Sequence, residues 1–313
     1  MLTVRVARIA RQTPEILSYE LAHPAGRALP AYAAGAHIDV HTPGGFMRQY
    51  SLACASQAGG NYVIGIKHEA KGRGGSAAMH LRVREGDLLA ISAPRNTFPL
   101  RPQAQRHLLL AGGIGLTPML AMAQALAAQG QDFTLCVFAR SRAHLAFADA
   151  LAAPDLAPHV RLHLDDDATC RIDLPALLAT REGAAHLYAC GPAGFMGAVR
   201  KAAAHWPEEA FHVEYFAAPT AAGNSVGKPF ALQLTQRGIT VPVAAEQSAV
   251  DALHDVGIDI PVSCEQGLCG TCVVAAEGAG AEHRDFCLTG AERAGKVALC
   301  CVRAKDEVLV LHL

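Results

Sequence analysis

The chain has 313 residues, 51% of them hydrophobic, with a formal net charge of -1. That length suits two or three globular domains of about 100–150 residues. The charge balance excludes the basic excess of a nucleic-acid binder and the acidic tail of a solvating segment, so no nucleic-acid partner is expected. The opening Met1-Leu-Thr-Val-Arg-Val enters an alternating strand pattern and has neither the apolar core nor the cleavage site of a signal peptide. Cys54, Cys136, Cys170 and Cys190 are scattered through apolar sequence, as free thiols in a reducing compartment are. A cytoplasmic location is therefore expected.

Over the first hundred residues, short runs at 2–9, 16–21, 37–41, 49–53, 62–66 and 87–92 alternate with turn residues such as Gly35, Pro43-Gly44-Gly45 and Gly59-Gly60-Asn61. Such spacing predicts a small antiparallel β-barrel or sandwich. Within it, Arg48-Gln-Tyr50-Ser51 places an arginine and a tyrosine on one strand face. The guanidinium suits a phosphate and the phenol a flat ring. Lys71-Gly-Arg-Gly74-Gly75-Ser76 then leads into a helix over 77–83. With Ser76 as N-cap, that loop presents backbone N–H groups to an anion. The two motifs in one β domain predict a phosphate-bearing flavin.

From 108 to 128 no residue is charged, a length close to the roughly 20 residues of a membrane span. Gly112, Gly113, Gly115 and Pro118 interrupt it, so a buried strand, a tight loop and a helix over 119–128 are expected, and no membrane partner. Thr117 suits the N-cap and Pro118 the first helical position. The loop departs from G-x-G-x-x-G because Pro118 stands at its third glycine position, yet a loop after a strand still offers amides to a pyrophosphate. A strand at 133–138, a helix at 143–151, a strand at 160–164 and residues 187–189 before Cys190-Gly191-Pro192 complete a parallel α/β pattern with its ligand at the strand C-termini. Cys190 reads either as part of that edge or as a small buried filler. The second strand runs into Ala139-Arg140-Ser141-Arg142. No acid stands there to bond a ribose 2′-hydroxyl, and an arginine suits a 2′-phosphate.

After a strand ending at Phe216, residues 217–227 are small and polar, a linker in composition. A β-grasp-like unit follows: a hairpin of 230–235 and 239–244, a capped helix over 248–256, and strands at 273–276, 297–299 and 308–313. Between helix and strands stands Cys264-Glu-Gln-Gly-Leu-Cys269-Gly-Thr-Cys272, the C-x4-C-x2-C spacing of a plant-type [2Fe-2S] cluster. Thiolates are the soft ligands such a cluster needs, and Gly267 and Gly270 permit tight folding around it. A zinc site pairs two C-x2-C units, and the chain has one. The fourth ligand comes from Cys300, Cys301 or Cys287. Cys300 and Cys301 are consecutive and point to opposite sides of an extended chain, and the spacing favours Cys300. Glu265, Gln266 and Leu268, between the ligands, are candidates for a docking surface.

Taken in order, Arg48-x-Tyr50-Ser51, Gly72-Arg-Gly74-Gly75-Ser76, Gly112-Gly-Ile-Gly115-Leu-Thr117-Pro118, Cys190-Gly191-Pro192, His283-Arg-Asp285 and Cys300 resemble the phthalate dioxygenase reductase family over essentially the whole chain. One departure is Cys300-Cys301-Val302-Arg303, where a Cys-Cys-Ser-Arg-like ending is often seen. The resemblance implies an FMN-binding β-barrel (1–101), an α/β NAD-binding domain (102–216), the linker (217–227) and a ferredoxin domain (228–313). It also implies FMN contacts at Arg48, Tyr50 and Ser51, and a phosphate held by Gly74, Gly75 and Ser76. Gly113, Thr117 and Cys190 line the dinucleotide site, and Phe216 stands beside the flavin ring. Lys67, Gly115, Pro118 and Arg140 complete the candidate cofactor residues. Cys190 and Phe216 are the candidates at the site of hydride transfer, and Cys264, Cys269, Cys272 and Cys300 are the metal ligands. The implied function is the reductase component of a multicomponent oxygenase, passing electrons from NADH, with NADPH left open, to a terminal Rieske-type oxygenase. A different acceptor and a redox-sensing role are the alternatives.

Overall fold

A computed structural model describes residues 1–55, 60–70, 72–217 and 227–313. Lys71 and the body of the expected linker lie outside the described residues. The chain forms two compact units, Met1–Phe216 and Ala217–Leu313.

The first unit begins with six strands: β1 (Leu2–Arg11), β2 (Ile16–Ala22), β3 (His37–Thr42), β4 (Phe46–Ser51), β5 (Tyr62–Lys67) and β6 (Leu88–Ile91). They pair antiparallel in the order β4-β3-β6-β1-β2-β5. Just past β4, a bridge between Leu52 and Ile64 and the Ala53 N–H to Val63 carbonyl bond of 2.8 Å bring the two edges together, making a nearly closed barrel. Alternation along β1 sends Val4 and Val6 inward to meet Tyr19, Leu21, Ile38, Val40 and Ile91, as period-2 patterning requires. Helix α1 (Gly75–Arg82) contributes Met79 to the same core.

Ser76 is not the N-cap of α1. Gly74, at φ 91, takes that place and turns the chain into the helix two residues early. The Ser76 hydroxyl instead accepts the Glu69 N–H at 3.1 Å.

The rest of this unit is a five-stranded parallel sheet. Its strands are β7 (Arg106–Gly112), β8 (Phe133–Ala139), β9 (Val160–Leu164), β10 (Ala185–Cys190) and β11 (Phe211–Glu214). The order is β11-β10-β7-β8-β9, so strand order reverses between β7 and β10. A doubly wound sheet binds its ligand in the crevice outside the strand C-termini at that switch point. Helix α2 (Leu116–Ala128) follows β7 through a single 3-10 turn at Gly113–Gly115 and buries most of its length. With 13 residues it is far short of a span, and no described helix is long and apolar enough to cross a membrane.

Thr117 likewise is not a cap. It lies inside the first turn of α2, its hydroxyl donating to the Ile114 carbonyl at 3.1 Å, and Gly115 holds the cap position. Pro118 falls third in the helix, still within the four residues whose N–H has no helical partner. The expected helix over 143–151 splits into a 3-10 turn, Arg142–His144, and the short α3 (Ala148–Leu151). Phe147 stands between them at φ 54, its N–H donating to Gln12 Oε1 of the barrel at 3.0 Å. A tertiary bond has overridden local helical preference. Helices α4 (Leu174–Leu178) and α5 (Ala193–Ala202) complete the unit.

The second unit pairs β12 (Phe230–Leu234) with β13 (Ile239–Val243) antiparallel and with β18 (Val308–Leu311) parallel. Ser248 and Asp251 form a reciprocal capping box that starts α6 (Ala249–Asp255). Two ribbons, β14 (Val273–Ala275) with β16 (Lys296–Ala298) and β15 (Ala281–Glu282) with β17 (Arg303–Ala304), complete the β-grasp around a core that includes Leu232, Leu253, Val297 and Leu309. Arg303 is buried under this sheet and donates to the carbonyls of Gln247 and Ala244 at 2.8 and 3.2 Å. The Arg303 guanidinium packs 4.6 Å from the Phe230 ring centre. In the Cys300-Cys301-Val302-Arg303 ending, the arginine is thus an internal tie.

Candidate functional site

In the first unit, β4 carries Arg48, Tyr50 and Ser51 in one run. Arg48 lies across the start of α1: a Cβ added to Gly75 falls 2.7 Å from Arg48 Cγ and 2.8 Å from Nε. Its guanidinium donates to the Met47 carbonyl at 2.7 Å and stands 5.2 Å from the Phe46 ring centre. A cation over glycine amides at a helix N-terminus is a phosphate cradle. The Tyr50 phenol oxygen is buried without a hydrogen-bond partner among the described residues, and burial pushes its ionisation upward. A bound aromatic ring system with polar edges would complete such a group. The residues present therefore fit a flavin mononucleotide.

The crevice between β7 and β10 is built from glycine backbone. A Cβ on Gly115 would lie 2.2 Å from the Cys190 carbonyl oxygen, and one on Gly191 would lie 3.0 Å from Gly112 Cα. Only glycine allows this approach, which leaves room along the crevice for a dinucleotide. Gly113, at φ 54, faces open space. Thr117 faces the barrel: a Cβ on Gly65 of β5 would meet its methyl group at 2.8 Å.

The two halves of this unit also meet through Ser51. Its hydroxyl donates to Glu214 Oε2 at 3.0 Å, so the end of β4 touches the end of β11. Glu214 is half-buried, and desolvation raises its carboxyl to about 7 although the Ser51 bond opposes the shift. Cys190 is fully buried, and desolvation first, then the Glu214 charge, pushes its thiol well up. At neutral pH it is a neutral thiol and no nucleophile. Glu214 escaped the sequence reading. Its one signal was an acid in the terminal parallel strand, where the apolar neighbours foretell burial. Phe216, two residues on, is 41% exposed.

Two candidates are held elsewhere. Lys67 pairs with Glu69 at 2.7 Å and Arg140 with Glu15 at 2.8 Å; neither pair joins the cradle of Arg48 and Gly75.

In the second unit, the loop after α6 turns through three left-handed residues, Glu265 (φ 55), Gly267 (φ 71) and Gly270 (φ 73). The turns point amides at sulfur. Gln266 and Leu268 donate to Cys264 Sγ, each at 3.4 Å, and Thr271 to Cys269 Sγ at 3.5 Å. Gly267 donates to Cys300 Sγ at 3.2 Å, and Cys300 N–H to Cys272 Sγ at 3.5 Å. Such donors stabilise thiolate charge and tune a bound cluster. The thiols stand as two hydrogen-bonded pairs, Cys264 with Cys269 and Cys272 with Cys300. Sharing one proton holds the Cys269 thiol down, to about 5, and its partner up. Among the described residues no three His, Cys, Asp or Glu side chains surround a single point as one ion requires. Two pairs of sulfurs are the donor set of a two-iron cluster. The Cys301 thiol donates to the Ala298 carbonyl at 3.6 Å, and it also hydrogen-bonds Cys300 and packs against Gly267 of the loop. Cys287 faces Asp285 Oδ2 at 4.0 Å. Asp285 is buried behind the loop, accepting from Leu288 N–H at 3.0 Å, while Phe286 N–H donates to the Gly267 carbonyl at 2.9 Å.

Residues 232–305 match the 2Fe-2S iron-sulfur cluster binding domain. The whole chain is 43% identical to a vanillate O-demethylase oxidoreductase of a Pseudomonas species, with all of both chains covered. It is 38% identical to a solved phthalate dioxygenase reductase, described as a modular structure for electron transfer from pyridine nucleotides to [2Fe-2S]. That match has a TM-score of 0.73 and covers 100% of this chain and 98% of that one. An intact type IV self-sufficient cytochrome P450 monooxygenase is 37% identical with a TM-score of 0.88. Here the chain is covered entirely but spans only 41% of the other protein.

Proposed function

This chain belongs to the family of vanillate O-demethylase and phthalate dioxygenase reductases, as an NADH-dependent oxidoreductase with FMN and a [2Fe-2S] cluster that serves an oxygenase; from that premise we propose that its acceptor is a Rieske-type terminal oxygenase of the cytoplasm. When bound, NADH supplies an electron pair as hydride, the flavin takes the pair and gives it up singly, and the cluster relays single electrons.

The chain's own residues bind and orient. Arg48 and the amides of Gly75 and Ser76 hold the flavin phosphate, and Tyr50 packs along the ring. Gly113, Gly115, Thr117 and Pro118 shape the nucleotide crevice. Cys190 and Glu214 keep the meeting point of the two halves dry, with Glu214 Oε2 accepting the Ser51 hydroxyl proton. Cys264, Cys269, Cys272 and Cys300 hold the cluster, and Phe216 covers the flavin edge.

The observation that carries this reading is the Ser51–Glu214 hydrogen bond of 3.0 Å, which joins the flavin motif of β4 to the end of the nucleotide sheet. The test is steady-state reduction of cytochrome c by NADH with the purified holoprotein, followed by supply of a Rieske oxygenase. Rapid turnover with both is expected. Bound cofactors without turnover would instead support a redox sensor. A second reading, in which the acceptor is a cytochrome P450, is favoured by the match to a self-sufficient cytochrome P450 monooxygenase. Faster reduction of a P450 than of any Rieske oxygenase would decide for it.

A further inference from the structure

We propose that Glu15 sets the choice of nucleotide by occupying Arg140, so that the 2′-phosphate of NADPH finds this cation already engaged. The inference rests on reading the β7–β10 crevice as the nucleotide site. In doubly wound sheets the end of the second strand reads the ribose: an acid there bonds the 2′-hydroxyl, and an arginine accommodates a 2′-phosphate. Here β8 ends at Ala139 and Arg140 follows at once. Taken alone the sequence calls for NADPH at this position. The structure supplies the missing acid from 125 residues away: Arg140 Nη2 donates to Glu15 Oε2 at 2.8 Å.

The placement of Glu15 is built in. It sits in the turn between β1 and β2, where its carbonyl accepts the His68 N–H at 2.8 Å and its own N–H donates to Thr13 Oγ1 at 3.2 Å. The same turn is pinned to the segment after β8 by the Phe147 N–H to Gln12 Oε1 bond of 3.0 Å. The Glu15 carboxylate is the internal anion of a cationic spot. Arg140 bonds it directly, Lys67 and His144 act on it electrostatically, and together they hold its ionisation below the usual range. Asp167, whose ionisation is lowered chiefly by its hydrogen bonds from Thr169, also feels Arg142, the other cation of this turn. A 2′-phosphate arriving here meets a carboxylate at like-charge range, whereas a 2′-hydroxyl does not.

Both side chains are partly exposed, 60% for Arg140 and 41% for Glu15. An ion pair so placed contributes little to folding, and Glu15→Gln retains the shape of the side chain while removing its charge. Holoprotein carrying Glu15→Gln, Arg140→Ala or both is assayed for kcat/KM with NADH and NADPH, and by calorimetry for binding of 5′-AMP and 2′,5′-ADP. In Glu15→Gln the NADPH-to-NADH ratio of kcat/KM is expected to rise roughly tenfold, with a parallel gain for 2′,5′-ADP over 5′-AMP. Adding Arg140→Ala returns both ratios to the wild-type value, because the gain acts through that guanidinium. A ratio within twofold of wild type in Glu15→Gln, with 5′-AMP still bound, overturns the proposal. Absence of 5′-AMP binding in the wild-type protein overturns the nucleotide reading itself, and the proposal with it.

Discussion

The cluster loop and the flavin–nucleotide cleft solve the same problem, holding a redox group, with opposite uses of the chain. Nine consecutive residues, 264–272, carry three of the four candidate cluster thiols, and their own turns direct amides at the sulfurs. The cleft draws on β4, α1, α2, β10 and β11, and its central hydrogen bond joins residues 163 apart in sequence. A site made by one loop writes its geometry into residue spacing. A site made by meeting sheets depends on which strands become neighbours.

The largest expected effect tests the local site. Cys272→Ser removes one thiolate from the Cys272–Cys300 pair, and the cluster absorbance is expected to vanish together with reduction of any downstream acceptor. Stopped-flow reduction of the flavin by NADH continues at the wild-type rate, because that step belongs to the other unit. Cys300→Ser behaves like Cys272→Ser, whereas Cys301→Ser keeps the visible spectrum. The opposite result for the adjacent pair would transfer the fourth ligand to Cys301 and leave the Gly267 bond to Cys300 without purpose.

The same contrast governs what was legible in the sequence. The barrel, the parallel sheet and the β-grasp unit follow from strand periodicity and turn residues, which are local signals. Gly267 and Gly270 are readable as tight-turn residues because the ligand spacing demands them. The caps failed at Ser76 and Thr117, since both helices start from glycines that turn the chain earlier than a side-chain cap would. The helix over 143–151 broke because Phe147 answers to Gln12, a partner that no window of sequence contains. Glu214 and Glu15 were missed for that reason too: each matters through a residue on a distant strand.

The next prediction tests the distant pairing. Burial raises the Glu214 carboxyl from 4.5 to about 7, so the folded protein holds this proton more tightly than the unfolded chain. Its contribution to stability is complete below about pH 4.5 and is lost as pH rises to about 7, an upper bound of about 3 kcal/mol. Glu214→Gln has no such proton to lose. Melting temperature measured against pH should show wild type falling relative to the variant across that window, with a constant difference above it. Ser51→Ala removes a bond that lowers the Glu214 pKa, and so moves the end of the window upward. A flat difference across the window would mean that Glu214 is ionised in the fold, and the dry junction between the halves would be wrong.

The smallest effect lies at Glu265, where backbone and charge can be separated. Its φ of 55 costs a residue with a side chain roughly 1–2 kcal/mol, and strained positions of this kind gather at functional sites. Glu265→Gly relieves that strain but gives the unfolded chain more freedom, an opposing change of about 0.4–1 kcal/mol. Stability should therefore stay within about 1 kcal/mol of wild type by denaturant unfolding, and a loss beyond about 2 kcal/mol would show that the side chain braces the loop. Glu265→Lys keeps the side chain and reverses the charge. If this exposed carboxylate faces the docked acceptor, the second-order rate of acceptor reduction changes several-fold at low ionic strength, and the difference fades as salt screens it. A rate untouched by Lys, with stability untouched by Gly, leaves the left-handed turn with one role, which is to aim the Gln266 amide at Cys264. The docking face must then be sought beyond the loop.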